Sequence, residues 1–343
     1  MSLEAWERAA DPLTERADDT EKLAASLRFA VLAPSGHNTQ PWAFSVDGRT
    51  VDLFADRSRR LPVVDPQDRE LTISCGAALA FFETAAARHG MATTTTVWPD
   101  DAAPDLIARV EFGPARQSTD DDRRLFDAGF LRRTNRLEFG PEPVSRATLD
   151  ELVRSAAAHE VALITIPPGA ARGPIAELVA EGDRIQAADR SFRRELAAWI
   201  RPNTTNAADG MPGYAFGFPT PLSFFGGAFL RYVNWGKGIA KAHARAVQRA
   251  PIVAVLATQR DDPNAWVATG RAIASVSLRA ASHGVSLSFF NQPVELPELR
   301  SRLAVLACPG HEPQLVIRLG VGPSARATPR RSAADVMTTT LNP

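Results

Sequence analysis

Apolar residues recur along this chain with two periods. Along Leu23-AASLRFAVLA and Leu149-DELVRSAAAH they return every three or four residues, which lays one apolar stripe along a helix. Each of these segments leads towards a run of branched or aromatic residues, Trp42–Val46 (WAFSV) and Val161–Ile166 (VALITI), the composition of a strand. Two further Ala-rich stretches, Gly76-AALAFFETAAAR-His89 and Gly270-RAIASVSLRAAS-His283, predict helices, each stopped by the next glycine, Gly90 or Gly284. Pro104-DLIARVEFGP and Pro313-QLVIRLGVGP then predict two more strands.

These segments form a degenerate repeat. The Ala-rich pair aligns without a gap, sharing Gly76/Gly270, Ala78/Ala272, Ala80/Ala274, Ala86/Ala280, Ala87/Ala281 and both His-Gly ends. The later strands share Leu106/Leu315, Arg109/Arg318, Gly113/Gly322 and Pro114/Pro323. Three matching blocks in one order predict an internal duplication, with halves at residues 1–120 and 121–343. The second half alone carries an insertion, about residues 185–245, which includes RPNTTNAADGMPGYAFGFPTPLSFFGG. Helical segments are expected before that stretch, whose own Gly and Pro content predicts a loop; Tyr214, Phe216, Phe218, Phe224 and Phe225 have apolar surface to bury, so a lid is expected rather than disorder.

Composition narrows the function. Lys+Arg and Asp+Glu both number 39, so no global field favours nucleic acid or a membrane, and any polyanion site must be local. The two cysteines, Cys75 and Cys308, make no C-x-x-C pattern, Cys75 is expected as a small buried residue, and a reducing, cytoplasmic setting is the expectation. The charged N-terminal stretch lacks a signal-peptide core, and no run of about 18 apolar residues occurs. Metal-ligand spacings, a P-loop and GxGxxG are all missing, so no metal site is expected. His89 and His283, at matching helix ends, are expected as partners of the helix dipole.

Two clusters carry candidate chemistry. The helix from Leu23 ends in Ala33-Pro-Ser-Gly-His-Asn-Thr-Gln-Pro-Trp42, a turn able to offer hydroxyl, amide and backbone donors. The second half opens with Arg132-Arg-Thr-Asn-Arg136, and Arg330-Arg331 lies near the end. Planar guanidiniums suit bidentate phosphate binding, and Thr134 and Asn135 add neutral donors.

In combination, APSGHNTQPW, RRTNR and the terminal PRRSAADV resemble the FMN-dependent nitroreductase superfamily, and within it the tandem Acg-like proteins; the resemblance spans most of Leu23–Met337. It implies an α+β fold of two nitroreductase-like halves forming a single-chain pseudo-dimer, with a lid insertion in the second half. In the superfamily each subunit carries a double-Arg opening, an APS…QPW turn and a basic end, and FMN lies at the dimer interface. Here the first half keeps the turn without the double Arg and the second keeps the Arg motifs without the turn. The losses are complementary, so one interface site combines the survivors.

By that resemblance Arg132, Arg133, Thr134, Asn135 and Arg136 would hold the phosphate and ribityl end, helped by Arg330 and Arg331. Pro34, Ser35 and Asn38 would approach the flavin from the other half, and Asn291 and Gln292 would lie near its reactive N5 edge. The superfamily's usual acid is absent at that edge, and no catalytic residue is assigned. The implied activity is ping-pong oxidoreduction of small nitro- or quinone-like substrates with NAD(P)H as a transient reductant. An FMN-sequestering protein beneath a closed lid is the rival, and a biosynthetic flavin dehydrogenase the third reading. A monomer is implied because the duplication mimics a dimer. The complementary losses predict that purified protein is yellow and releases close to one FMN per chain on denaturation; two would defeat the argument.

Overall fold

The computed structural model describes residues 3–14 and 16–338. After a short helix α1 (Glu4–Ala9), α2 (Asp19–Ala30) starts where Asp18 accepts from the Glu21 N–H and the Glu21 carboxylate accepts from Asp18, a reciprocal cap. The apolar stripe marks only the buried face, so it shows the helix from Leu23 onward and misses the polar first turn. Strands β1 (Trp42–Asp47) and β2 (Thr50–Ala55) form a hairpin. The long α3 (Arg69–Arg88) then leads to β3 (Met91–Val97) and β4 (Leu106–Ala115), completing an antiparallel sheet in the order β1-β2-β4-β3. β1 and β2 largely alternate buried and partly exposed residues, as expected where only one face meets a core.

Helix α4 (Asp120–Gly129) crosses to the second sheet, which begins with α5 (Arg146–Ala157) and β5 (Ala162–Ile166). Helix α6 (Arg172–Ala188) leads into the insertion, which carries α7 (Arg190–Ala198), β6 (Ile200–Arg201) and, along its Gly/Pro-rich stretch, β7 (Met211–Pro212), α8 (Thr220–Ser223) and the start of α9 (Gly226–Tyr232), followed by α10 (Gly236–Arg249). The chain continues through β8 (Ile252–Thr258), α11 (Pro263–Ser282), β9 (Ser286–Phe289), α12 (Gln292–Glu295), α13 (Pro297–Ala307), β10 (Glu312–Gly320) and α14 (Ala333–Val336). The second sheet, β5-β8-β10-β9, repeats the strand order of the first. Every residue of β8 is buried, because one core lies on each face of this sheet.

The two sheets meet through α3 and α11. A Cβ added to Gly76 would sit 2.4 Å from the Val267 carbonyl oxygen, and one added to Gly270 would sit 2.1 Å from that of Ile73. Only two glycines allow so close a crossing. Side chains then pass to the opposite core: Val267, Ala274 and Leu278 of α11 pack with the first sheet, and Ile73 of α3 with the second. Gly90 and Gly284 follow the two helices with φ of +73° and +70°, the left-handed stop expected of them.

Gly270→Ala should therefore force these backbones apart and lower stability by about 1–3 kcal/mol. The measurement is the denaturant midpoint; an unchanged midpoint would show that the crossing tolerates a Cβ.

Candidate functional site

The turn after α2 is held in an unusual backbone. His37, Asn38 and Gln40 have φ of +49°, +56° and +55°, three left-handed non-glycine residues within four positions, a strain that persists only where surroundings impose it. Ser35 accepts from the Gln40 N–H at 2.9 Å, and the Gly36 N–H donates to the Ser74 hydroxyl at 3.3 Å. Asn38 donates to the carbonyls of Gly210 (2.8 Å) and Pro329 (3.1 Å), and its Oδ1 accepts from Arg330 at 2.7 Å. Gln40 donates to Ala208 at 2.8 Å and accepts from the Arg331 N–H at 2.8 Å. Thus the turn, the insertion and the terminal Arg pair are tied at two amides.

Around this turn gather buried cations. Arg132 and Arg330 both reach the Leu32 carbonyl at 3.4 Å. Arg133 lies 4.0 Å and Arg330 5.4 Å over the Trp6 ring, and Arg132 lies over Phe81. Arg132 and Arg330 are buried, and the Nε of each has no partner among the described residues. Burial, then the charges of Arg330 and Arg133, hold Arg132 well below the ordinary arginine range; burial, then Arg133, pushes Arg330 down to about 9. Among the described residues no carboxylate pairs with Arg132, Arg133 or Arg330. Such a cluster is short of negative charge and aimed to receive it.

Arg136 stands apart from this trio. It reaches the Met211 sulfur at 3.6 Å and lies over Phe216 of the insertion, while part of its side chain is exposed to solvent. Its charge, after burial, holds His37 down at about 4, so that imidazole is neutral at pH 7. Thr134 bridges to Leu287 of β9, and Asn135 is spent on structure, donating to Ser286 (3.0 Å) and Pro323 (2.8 Å) and accepting from Leu137. Pro34 carries no N–H and ends the helical run.

The structure separates the other candidates. Asn291 donates weakly to Glu70 at 3.4 Å and accepts from the Val316 N–H at 3.2 Å. Gln292 turns away to Asp183 (3.0 Å) and His243 (3.2 Å), which themselves pair at 2.9 Å. Glu70 is buried close to Gly36, and burial raises its carboxyl to about 7 despite Arg69 beside it; Asp65 and Glu295 are raised for the same first reason. Sequence reasoning missed Trp6 and this acid group, because neither lies in a recognisable spacing.

Two local expectations resolve differently. Cys75 is buried, its thiol donates to the Pro41 carbonyl, and burial raises it far above the thiol range, which makes it inert. His283 ends α11 and pairs with Glu151 at 2.8 Å. His89 cannot play the dipole partner expected of it, because burial first, then Arg88, Arg28 and Lys22, hold it neutral down to about pH 4.

If the Arg trio takes a tetrahedral anion, low-millimolar phosphate should raise the unfolding free energy above that in chloride, by up to about 2.7 kcal/mol at a hundredfold excess over the dissociation constant, as read from denaturant unfolding. Arg330→Gln should remove most of that gain. Equal responses of wild type and variant would exclude the cluster as the anion site.

No family model matches the chain. It is 27% identical over 321 residues to a Mycobacterium tuberculosis protein named "Putative NAD(P)H nitroreductase acg", covering 92% of this chain and 95% of that one. It is 26% identical over 347 residues to a Serratia protein named "Probable NAD(P)H nitroreductase PigM", covering 93% and 94%. A solved nitroreductase-named structure from Anabaena variabilis aligns over 93% of this chain and 91% of its own, at TM-score 0.49 and 9% identity. Over nine-tenths of its length, therefore, this chain is similar in sequence to bacterial proteins named as putative or probable NAD(P)H nitroreductases.

Proposed function

We propose that the chain is an FMN-dependent oxidoreductase of the nitroreductase type, built by duplication from two nitroreductase-like halves, with one FMN between them. The observation that carries this reading is the cluster of buried Arg132 and Arg330 with half-buried Arg133, without a carboxylate among the described residues, against the strained turn of the other half. The residues fit a flavin phosphate: unpartnered buried Nε atoms of Arg132 and Arg330 offer donors, and three guanidiniums supply compensating charge. Arg133 and Trp6 would flank that phosphate, and Asn38 would hold Arg330 in place rather than bind directly. Bound FMN supplies hydride and electron transfer; the chain supplies anchoring, orientation and exclusion of water. NADH or NADPH is the proposed reductant, and a small nitro- or quinone-like molecule the proposed oxidant.

One observation favours the sequestering alternative. The insertion is fastened over the turn: Gly210 and Ala208 accept from Asn38 and Gln40, the Tyr214 hydroxyl donates to the Ala327 carbonyl, and Asp209 pairs with both Arg59 and Arg201. A lid held by that many contacts would limit entry of a nicotinamide.

Anaerobic mixing with NADH or NADPH, followed by flavin absorbance, separates the readings. Bleaching of wild-type protein is the expected result. Bleaching only after Gly210–Gly226 is replaced by a short flexible linker would favour sequestration, and bleaching of neither by nicotinamide, with dithionite effective on both, would sink the oxidoreductase reading. Arg132→Gln should weaken FMN retention by about one to two decades, the worth of a charge-assisted contact of roughly 1.5–3 kcal/mol.

A further inference from the structure

The charge balance of the whole chain conceals one strongly biased stretch. From Gly210 to Thr258 there is no Asp or Glu, while Arg231, Lys237, Lys241, Arg245 and Arg249 all fall within it. Two of the protein's three lysines are here. Lys237, Lys241, Arg245 and Arg249 follow one another at four-residue spacing, so they form one stripe along α10, and all four are exposed. The opposite side of α10 is occupied: Ala240 and Val247 are buried, and His243 pairs with Asp183 of α6. Arg249 pairs with Glu138, whereas Lys237, Lys241 and Arg245 have no ion-pair partner among the described residues. The acids of α6 nearest in sequence to Asp183 do not neutralise the stripe, since Glu177 pairs with Arg184 and Glu181 with Arg302.

Immediately before this stripe the insertion leaves large apolar side chains in water. Leu222 is 59% exposed, Phe224 59%, Phe225 68% and Tyr232 74%. Phe216, Phe229 and Val233 are also exposed. Seven such residues within eighteen positions are not the scattered singles expected on any surface. Nor are they simply unfolded, because Leu230 of the same helix is buried in a core with Phe192, Leu196 and Met211. The exposed run continues without a break from Arg231 to Asn234, so the apolar and basic portions adjoin.

Exposed aromatics beside unpaired cations, with no acid among them, match the interfacial region of an anionic bilayer: rings enter the headgroup boundary while lysine and arginine heads meet lipid phosphates. A protein partner would need carboxylates to meet the stripe as well as an apolar face, whereas an anionic lipid layer supplies both chemistries over any area. Among the described residues no helix is long and apolar enough to cross a membrane, so association through this face would be peripheral. We propose that Leu222, Phe224, Phe225 and Tyr232, with Lys237, Lys241 and Arg245, form a docking surface for anionic lipid headgroups.

The test is sedimentation of the full chain with vesicles of phosphatidylcholine alone or mixed with phosphatidylglycerol. Binding is expected to the mixed vesicles only, to be weakened by salt, and to fall on the order of tenfold in Lys237→Glu/Lys241→Glu and in Phe224→Ser/Phe225→Ser/Tyr232→Ser. Unchanged circular dichroism and flavin retention would show that the variants remain folded; because the substituted side chains are exposed, both should be kept. No binding of wild type at about 1 mM lipid in low salt, where even one myristoyl chain is largely bound, would overturn the proposal. So would binding that the variants leave intact, or light scattering showing that the aromatic variant only converts a dimer to a monomer.

Discussion

Where α3 and α11 cross, Gly76 and Gly270 bring two helix backbones closer than any residue with a Cβ allows. That contact sets the spacing between the two sheets, and side chains of each helix complete the core of the other. It also sets where the candidate site forms. Phe81, little more than one turn beyond Gly76, lies under Arg132, while Ser74 and Glu70, on the preceding turn, meet Gly36. A wider crossing would separate the strained turn before β1 from the arginines that close on it.

The arginines are the second constraint. A buried guanidinium without a carboxylate loses solvation worth several kcal/mol, and neighbouring like charges add to the penalty. Backbone carbonyls of Leu32 and Pro329, the Asn38 amide and the faces of Trp6 and Phe81 offset part of it. The unpartnered Nε atoms of Arg132 and Arg330 show that the offset is incomplete. A bound anion would complete that compensation, so burial without a carboxylate among the described residues points towards an anion more strongly than the motif does.

The insertion serves two surfaces at once. Its inner side packs Phe192, Leu196 and Met211 against Leu61 and Val64 and fastens to the turn through Asn38 and Gln40. Its outer side keeps aromatics and lysines in water. Composition alone suggested burial for all these aromatics; Phe224 and Phe225 show that a segment can be ordered by a few apolar anchors while leaving the rest exposed.

By itself, the sequence determined the elements and their repetition. Apolar periodicity located α2, α5 and the four strands named from it, and identical glycines aligned α3 with α11, because these signals are local. It also singled out the residues that gather at the candidate site, Asn38, Arg132, Arg133 and Arg330. What it left open was what each side chain does there. Asn135 satisfies its own loop, Gln292 joins Asp183 and His243, and His89 is neutral because it is buried, none of which spacing can reveal. Trp6 and Glu70 enter only through contacts made across hundreds of residues or through burial. Charge, tautomer and hydrogen-bond partner depend on which groups the fold brings within a few ångströms, and that distance is fixed by tertiary packing.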